Sequence, residues 1–367
     1  MSINIAQLEV KVNYIMQQIL DRAASVTPLD TAAMELARSR QQQLTKPAGS
    51  LGRLEDIAIQ IAGITRQPLP NVKQKAVIIM AGDHGVTKEG VSAYPSAVTP
   101  QMVYNFLRGG AAINILAHHI GTKVIVVDVG VAADLSHPDL LSRKVASGTA
   151  NMVLEPAMTQ AQMLEAIKVG IDVFDTQLDQ GIDLVATGDM GIGNTTAASA
   201  IAAVLLQKPA ALVTGRGTGI DDQQLAHKIQ IIEQAIQRNV PDPQQPLDVL
   251  MKVGGLEIAG LVGVIIAAAS RRVPVVIDGF ISGAAALVAV ELNPLIGAYL
   301  IAGHVSVEQG HRFILEKLGL SPLLDLQLRL GEGTGAVLAM SIIVAALRTH
   351  CEMATFADAG VSTREEK

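Results

Sequence analysis

The carboxylate of Glu332 is the side chain of this sequence that is most openly placed for chemistry. It stands among glycines in Arg329–Ala336 (RLGEGTGA), directly before the apolar run Ala336–Leu347. Glycines allow unusual backbone angles and let a ligand approach closely, and Thr334 is predicted to be the N-cap of a helix formed by the apolar run. The stretch would present Glu332, together with Leu330 as a candidate substrate-binding residue, just before a helix N-terminus, although the same pattern also fits a solvated turn.

A second glycine-rich stretch, Gly188–Thr196 (GDMGIGNTT), joins a predicted strand to a predicted helix. Its spacing departs from the dinucleotide fingerprint G-x-G-x-x-G, but backbone N–H groups and hydroxyls at a helix N-terminus suit a phosphate. An ordinary strand-to-helix turn capped by threonines explains the pattern equally well. The candidate ligand-binding residues of this stretch are Asp189, Gly191, Asn194, Thr195 and Thr196.

A third stretch, Thr214–Asp222 (TGRGTGIDD), repeats the same device after the next apolar run. Gly215 and Gly217 flank Arg216, whose guanidinium is a candidate partner for a phosphate, and Lys228 follows in the next predicted helix. The alternative is a flexible glycine loop with a solvated arginine. Because neither loop contains G-K-[ST], neither is a nucleoside-triphosphate P-loop; together they favour a smaller anionic ligand.

Asp83 and His84 follow the first apolar run, and such a pair can bind a metal, transfer a proton or hold its own loop in place. The metal case is weak, because the sequence has no H-E-x-x-H and no cysteine pair, and His304 has no evident carboxylate beside it. We therefore predict no metal site. Tyr94 lies in the loop Glu89–Pro95 and either stacks on a flat substrate ring or is an ordinary, partly exposed tyrosine.

Six short apolar runs, each ending at a glycine, aspartate or histidine, must position these loops. Runs of this kind, alternating with helical patterns, predict an α/β fold with a doubly wound, mostly parallel, Rossmann-like sheet of six strands. In such a sheet, ligands bind beyond the carboxyl ends of the strands, which is where the candidate loops fall. The predicted strands are Lys75–Ala81, Lys123–Val129, Asp183–Thr187, Ala211–Thr214, Val273–Ile277 and Ala298–Ala302.

Helical patterns at both ends of the chain lie outside the alternating region. They predict a second, small helical domain made of residues 1–70 and 336–367, beside a large α/β substrate-binding domain of residues 71–335. Glu332 would lie at the junction of the two domains.

Composition narrows the class of protein further. The chain has 367 residues, 49% hydrophobic but only 2% aromatic, and its net charge of −6 gives no basic surface for nucleic acid or an anionic membrane. Its single cysteine, Cys351, excludes an internal disulfide and fits a cytoplasmic location. The apolar runs Ile258–Ser270 and Ala336–Leu347 are shorter than the roughly 20 residues that cross a bilayer. We expect a protein without membrane spans.

Taken together, these stretches resemble one family, the nicotinate-nucleotide–dimethylbenzimidazole phosphoribosyltransferases. The motifs that carry the resemblance are KPAGSLGRLE (Lys46–Glu55), AGDHG (Ala81–Gly85), Glu89–Pro95, Gly188–Thr196, KVGGLEIAG (Lys252–Gly260), DGFISGAAA (Asp278–Ala286) and RLGEGTGA (Arg329–Ala336). The sequence departs from the family pattern at Ala48, where a second proline is common, and at Asp189, where some relatives have glutamate. Tyr94 stands where a smaller residue can occur.

The resemblance implies transfer of a phosphoribosyl group from nicotinate mononucleotide to 5,6-dimethylbenzimidazole or a related base. It implies Glu332 as general base, glycine loops that hold the phosphate and ribose of the mononucleotide, a homodimer, and neither metal nor cofactor. Two other functions stay open at this point. One is a metal-dependent hydrolase of a phosphorylated small molecule that uses Asp83, His84 and His304. The other is a non-catalytic nucleotide-binding protein.

Overall fold

The computed structural model describes residues 5–362 and contains a parallel sheet of six strands. The strands are β1 (Lys75–Gly82), β2 (Thr122–Gly130), β3 (Leu140–Ser142), β4 (Leu184–Met190), β5 (Val275–Ile277) and β6 (Leu300–Ala302). Their order across the sheet, β3-β2-β1-β4-β5-β6, is the doubly wound order of the Rossmann fold. The predicted fold class is confirmed, and β1 and β4 flank the point at which the strand order reverses.

Helices cover both faces of the sheet. They are α1 (Ile5–Ala24), α2 (Thr31–Gln43), α3 (Arg53–Thr65), α4 (Val98–Leu107), α5 (Ala112–His119), α6 (Gln160–Asp179), α7 (Asn194–Leu205), α8 (Ala210–Val213), α9 (Asp222–Asn239), α10 (Pro246–Val253), α11 (Leu256–Ser270), α12 (Phe280–Leu292), α13 (Gln309–Leu318), α14 (Thr334–Glu352) and α15 (Phe356–Ala359). Short 3-10 segments at Gly85–Glu89 and Pro294–Tyr299 complete the described elements.

The central strand β1 divides the protein interior into two hydrophobic cores. Ala76, Ile78 and Met80 face the core that contains α1, α6, α7, α11 and α12, whereas the intervening residues Val77 and Ile79 face the core that contains α3, α5 and α14. Side chains of a strand alternate between its faces, and a strand buried on both faces is apolar throughout. This explains why β1 reads as one continuous apolar run.

Helices α6 and α11 pack at very short range because glycines form their contact. A Cβ atom on Gly170 would lie 1.9 Å from the carbonyl oxygen of Gly260, and one on Gly263 would lie 1.9 Å from the carbonyl oxygen of Ile167. Any side chain at either position would separate the two helices. The close contact supports α11 directly under the sheet, at the strands that carry the candidate loops.

Several local predictions are wrong. The stretch predicted as a strand over Ala211–Thr214 is the short helix α8, and the sixth strand is instead β3, whose three residues are too few to give a periodic signal. The stretch Pro100–His119, whose apolar spacing predicts a single helix, is divided between α4 and α5, with Gly109 in the left-handed region (φ 78°) between them. The N-cap of α14 is Gly333 rather than Thr334, which is the first helical residue. Helix α10 was not predicted.

The terminal helices lie on opposite sides of the sheet. Helix α1 packs on α6 and α11, while α14 packs on α3, α5 and strand β5. The division into a domain of residues 1–70 and 336–367 and a domain of residues 71–335 stays a prediction, which limited proteolysis followed by mass analysis of the fragments would test.

Helix α14 is longer than the apolar run that predicts it. At 19 residues, Thr334–Glu352 is the one helix in the described part of the chain that is long and apolar enough to cross a membrane by length and composition. The apolar run itself is shorter than a membrane span, and the helix extends beyond it at both ends. About half of the apolar window, 56%, is buried against the rest of the protein, which is typical of a core helix.

Candidate active site

The candidate loops meet at the carboxyl edge of the sheet, where β1 and β4 lie side by side. β1 leads into Asp83 and His84, and β4 leads into the loop that contains Gly191. A Cβ atom on Gly191 would lie 2.3 Å from the carbonyl oxygen of Gly82, so only glycine lets the two loops approach this closely. In doubly wound sheets this crevice is the usual place for a ligand.

Glu332 lies in this crevice on a turn of unusual backbone conformation. Gly331, Glu332 and Gly333 all have positive φ angles, of 79°, 64° and 90°. The left-handed conformation costs a residue with a side chain about 1–2 kcal/mol, and such residues persist where the surroundings fix them, often at active sites. Gly188 supplies part of that fixation, because a Cβ atom there would lie 2.6 Å from the Glu332 carbonyl oxygen.

Glu332 is 5% exposed, and the Oε2 atom of its carboxyl group has no hydrogen-bond partner within residues 5–362. Burial, reinforced by the negative charge of Asp278, raises the pKa of Glu332 to about 7. A carboxylate with a pKa near the working pH is well suited to accept a proton in a transition state. The free oxygen and the raised pKa together make Glu332 the best candidate base in the site.

Asp189 lies next to this turn and is also buried. Its Oδ2 atom accepts a hydrogen bond of 2.9 Å from Nδ2 of Asn194, and a Cβ atom on Gly331 would lie 3.2 Å from the same oxygen. Burial, with the charges of Asp278 and Glu257, raises the pKa of Asp189 well above its usual range. The predicted site residues Asp189, Asn194 and Glu332 therefore form one acidic, largely buried cluster.

Lys228 joins the second and third glycine-rich loops. Its side chain is fully buried, and its Nζ donates to Thr195 Oγ1 at 2.8 Å and to the Gly215 carbonyl oxygen at 3.4 Å. Burial lowers the pKa of Lys228 to about 8, although the nearby Glu308 carboxylate opposes the shift. An ammonium group has three N–H donors, so one of them is free to bind an anionic ligand.

The Gly215–Gly219 loop already holds a carboxylate of the protein. Glu308, 6% exposed, accepts a hydrogen bond of 2.8 Å from the Gly217 backbone N–H, and its Oε2 atom has no partner. A Cβ atom on Gly215 would lie 2.0 Å from that oxygen. The Gly217 N–H is thus occupied, and the loop has fewer free N–H donors for a ligand than its sequence predicts.

Three predicted binding residues lie at the edge of the site or turn away from it. The Arg216 guanidinium pairs with Asp222 and donates to the Ile220 carbonyl oxygen at 3.0 Å, so it holds its own loop and does not face Lys228. Tyr94 is 55% exposed and Leu330 is 57% exposed. The loop of Tyr94 nevertheless reaches the third loop, because the Ala93 N–H donates to Thr218 Oγ1 at 3.2 Å.

Thr196, in contrast to Tyr94 and Leu330, is not exposed to solvent. It is fully buried in the first turn of α7, and its hydroxyl has no partner within the structure. Thr195, by contrast, accepts from Lys228 and keeps its own hydroxyl proton free to donate.

His84 does not act as a simple tie within its own loop. Its Nε2 is 2.6 Å from Oε1 of Glu257 at the start of α11, and both side chains are fully buried. Burial lowers the pKa of His84, but the Glu257 carboxylate, with help from Asp83, more than offsets this and raises it. Asp83 accepts a hydrogen bond from the Ala132 N–H at 2.8 Å. The pair joins the end of β1 to α11 beneath the site.

Within residues 5–362, no group of three or more histidine, cysteine, aspartate or glutamate side chains is arranged to hold a metal ion. His304 lies 3.6 Å from Asp278, measured from Nε2 to Oδ1, and so has the carboxylate neighbour that its sequence context does not reveal. His84 and His304 each belong to a separate acid–histidine pair, which gives no support to the hydrolase alternative.

The sequence reasoning missed several residues of the site. Glu257, Asp278, Glu308 and Arg329 all lie within it or directly beneath it, and Arg329 donates to the Gly217 carbonyl oxygen at 3.1 Å, which links the Glu332 turn to the third loop. Three of the four stand in or beside motifs that were recognised, namely KVGGLEIAG, DGFISGAAA and RLGEGTGA. The signal was a charged residue inside an otherwise small or apolar motif.

The chain combines a Rossmann-like sheet with glycine loops around a buried lysine and a buried carboxylate at the switch point, and the family model described as "Phosphoribosyltransferase" matches its residues 26–361. Within that class, the chain belongs to the nicotinate-nucleotide–dimethylbenzimidazole phosphoribosyltransferase family. The resemblance drawn from the sequence motifs is confirmed.

Named relatives match almost the whole chain. The nicotinate-nucleotide–dimethylbenzimidazole phosphoribosyltransferase of Chloroflexus aurantiacus is 63% identical over 340 residues, covering 92% of this chain and 97% of its own. The same enzyme of Geobacter sulfurreducens is 54% identical over 348 residues, covering 95% and 99%. The crystal structure of CobT from Thermus thermophilus superposes with a TM-score of 0.87 at 48% identity, covering 90% of this chain and 99% of that one.

Proposed function

We propose that this protein transfers the 5-phosphoribosyl group of nicotinate mononucleotide to 5,6-dimethylbenzimidazole, with Glu332 as general base and inversion at the anomeric carbon. The products are nicotinate and α-ribazole 5'-phosphate. The observation that carries the mechanism is the buried Glu332 carboxylate, which has one unpartnered oxygen in the crevice between β1 and β4.

The chemistry of the substrates explains why one carboxylate suffices. Nicotinate is bonded to ribose as a cationic pyridinium, so it leaves with its bonding electron pair and needs no acid. The ribosyl carbon becomes oxocarbenium-like, as in glycoside cleavage. The incoming base attacks through its unprotonated ring nitrogen from the opposite face, which converts the β-nucleotide into an α-nucleotide.

Glu332 acts on the other nitrogen of the incoming base. Its proton becomes acidic as positive charge develops on the ring, and a hydrogen-bonded carboxylate removes it, a step that contributes typically about 10²–10⁴-fold in rate. The carboxylate must be ionised to act. Since the pKa of Glu332 is raised to about 7, turnover is expected to rise with pH through that value.

The phosphate of the mononucleotide is assigned to Lys228 and the Gly191–Thr196 loop. Lys228 has one free N–H, and the Thr195 hydroxyl beside it can donate its proton. Because Glu308 occupies the Gly217 N–H, the third loop contributes less to this assignment than its glycines predict, and the main contribution from this side comes from Lys228 in α9. The phosphate is a spectator whose binding orients the ribose.

The same proposal includes a homodimer located in the cytoplasm that acts on small molecules and binds neither nucleic acid nor membrane. The net charge of −6 supports the last two points. Light scattering coupled to gel filtration tests the dimer, because a monomeric mass at micromolar concentration would contradict it.

The decisive experiment incubates the purified protein with nicotinate mononucleotide and dimethylbenzimidazole. We expect equal amounts of nicotinate and a nucleotide whose proton NMR spectrum shows the α configuration. Glu332→Gln should lower kcat at least ~10²-fold. Glu352→Gln, the same substitution at the exposed C-terminal end of α14, should leave kcat unchanged. Near-normal turnover of the Glu332→Gln variant would remove Glu332 from the mechanism.

A further inference from the structure

The turn that carries Glu332 is held from below by one carboxylate. Asp278 is fully buried at the carboxyl end of β5, and its two oxygens accept hydrogen bonds from the backbone N–H groups of Gly333 (3.2 Å) and Ala336 (2.9 Å). Both amides lie at the start of α14, where N–H groups have no partner within the helix. Asp278 therefore fixes the backbone on the C-terminal side of Glu332.

The remaining contacts of the turn leave it little freedom. A Cβ atom on Gly333 would lie 2.6 Å from Val77 Cγ2, and one on Gly335 would lie 2.0 Å from Cδ2 of the His304 ring. The turn is thus enclosed between β1 on one side and His304 on the other. Asp278 is the polar side chain that satisfies its amides within this enclosure.

Asp278 also faces Glu332 electrostatically. The titratable groups around the turn are Asp189 at the end of β4, Asp278 at the end of β5 and His304 at the end of β6, with Glu257 beyond Asp189. Among these groups, the charge of Asp278 is the one that acts to raise the pKa of Glu332, after burial itself. The hydrogen bonds of Asp278 and its negative charge thus both act on Glu332.

We propose that Asp278 is the positioning residue of the general base: it holds the backbone of the Glu332 turn with both carboxylate oxygens and places a buried negative charge beside it. The proposal rests on the function assigned to Glu332. It predicts that Asp278 touches neither substrate and acts only through Glu332.

The test measures kcat against pH for Asp278→Asn and Asp278→Glu at saturating concentrations of both substrates. Asparagine can accept one amide only and has no charge. We expect kcat of this variant to fall roughly 10–100-fold, and the acid limb of its profile to move to lower pH by at least about 0.5 unit, a threefold change in proton affinity. Asp278→Glu keeps the charge but displaces the hydrogen bonds, so kcat should fall while the acid limb stays in place.

Asp183→Asn is the matched control. Asp183 also accepts two backbone N–H groups, those of Lys73 (2.8 Å) and Gln74 (3.0 Å), but it stands at the amino end of β4, at the opposite edge of the sheet. Its substitution should lower the melting temperature and leave both kcat and the acid limb unchanged. If the role of Asp278 were purely structural, Asp278→Asn would likewise lower the melting temperature and leave the acid limb unchanged.

An unchanged acid limb in a folded Asp278→Asn variant would overturn the proposal. If both Asp278 variants fail to fold while Asp183→Asn folds, Asp278 serves stability and the proposal is also overturned. The Glu332→Gln variant keeps the two proposals distinguishable, because near-normal turnover there would reject Glu332 as the base whatever the Asp278 variants show.

Discussion

Lys228 gives the sharpest test of how the mononucleotide is held. Replacing it with methionine removes the ammonium group and keeps an unbranched apolar stem that is one atom shorter. In the structure the Lys228 Nζ has one N–H left after its bonds to Thr195 and Gly215. A hydrogen bond to a charged group contributes about 1.5–3 kcal/mol, so the loss of one such bond to phosphate should lower kcat/KM by about 10- to 150-fold.

The assay compares nicotinate mononucleotide with nicotinate riboside, which lacks the phosphate, at saturating dimethylbenzimidazole. The riboside should be a poor substrate of the unmodified protein, and Lys228→Met should lower kcat/KM for the mononucleotide much more than for the riboside. Because Lys228→Met leaves the buried Glu308 carboxylate without its nearby cation, the double variant with Glu308→Gln serves as a control for that loss. Thermal unfolding of each variant separates misfolding from lost binding.

The pH dependence provides an independent check on the same residue. The pKa of Lys228 is lowered to about 8, so kcat/KM for the mononucleotide should fall as pH rises through about 8, when the ammonium group loses its proton. Lys228→Arg keeps the charge at these pH values and should remove this limb. Equal losses for the mononucleotide and the riboside in Lys228→Met would refute the reasoning, because the ammonium would then act away from the phosphate.

Three further predictions follow from other contacts of the site. Glu332→Gln should raise the melting temperature at pH 8 but not at pH 4.5, and a lower melting temperature at pH 8 would contradict this. The reason is that the pKa of Glu332 is raised from 4.5 to about 7 in the folded protein, so the protein loses at most about 3 kcal/mol of stability as pH rises through this window. Gly188→Ala should lower kcat at least tenfold, since its Cβ would lie 2.6 Å from the Glu332 carbonyl oxygen; unchanged kcat would show that the turn yields freely. Tyr94→Ala should weaken use of the base by roughly tenfold or somewhat more, and it should change the kcat/KM ranking of dimethylbenzimidazole, benzimidazole and adenine; unchanged ratios would place Tyr94 outside the base site.

The sequence predicts the sheet well because each long strand is buried on both faces. In β1 the alternate residues enter two separate cores, and an apolar residue is needed at every position. Strand β3 has three residues and leaves no such pattern, and the apolar run Ala211–Thr214 is short enough to be a strand or the helical turn that it forms. The spacing of apolar residues predicts the secondary structure of long segments, whereas tertiary contacts determine that of short ones.

The candidate site was predictable where a glycine marks a close approach. Gly188 and Gly191 belong to recognised loops, and the structure gives each a contact that excludes a side chain. Glu308 was not predictable as a site residue, and for Asp278 the sequence offers only a charged residue in an otherwise small and apolar motif. Their roles depend on which amides they meet, those of Gly333 and Ala336 for one and Gly217 for the other, and these partners lie more than 50 residues away in the chain. For Arg216, sequence reasoning assigned a free guanidinium to what is a local ion pair with Asp222.

Several features that lower the stability of the folded protein lie around Glu332, and the two hydrophobic cores must offset them. The turn combines a left-handed residue with a side chain, a buried carboxylate with a free oxygen, and two further buried acids, Asp189 and Asp278. Each of these costs stability. The surrounding sheet and helices offset the cost with two almost entirely apolar cores. Burial is the main cause of the raised pKa of Glu332, and the turn is buried because it packs against β1 and leads directly into α14, so the apolar character of these two elements supports the general base.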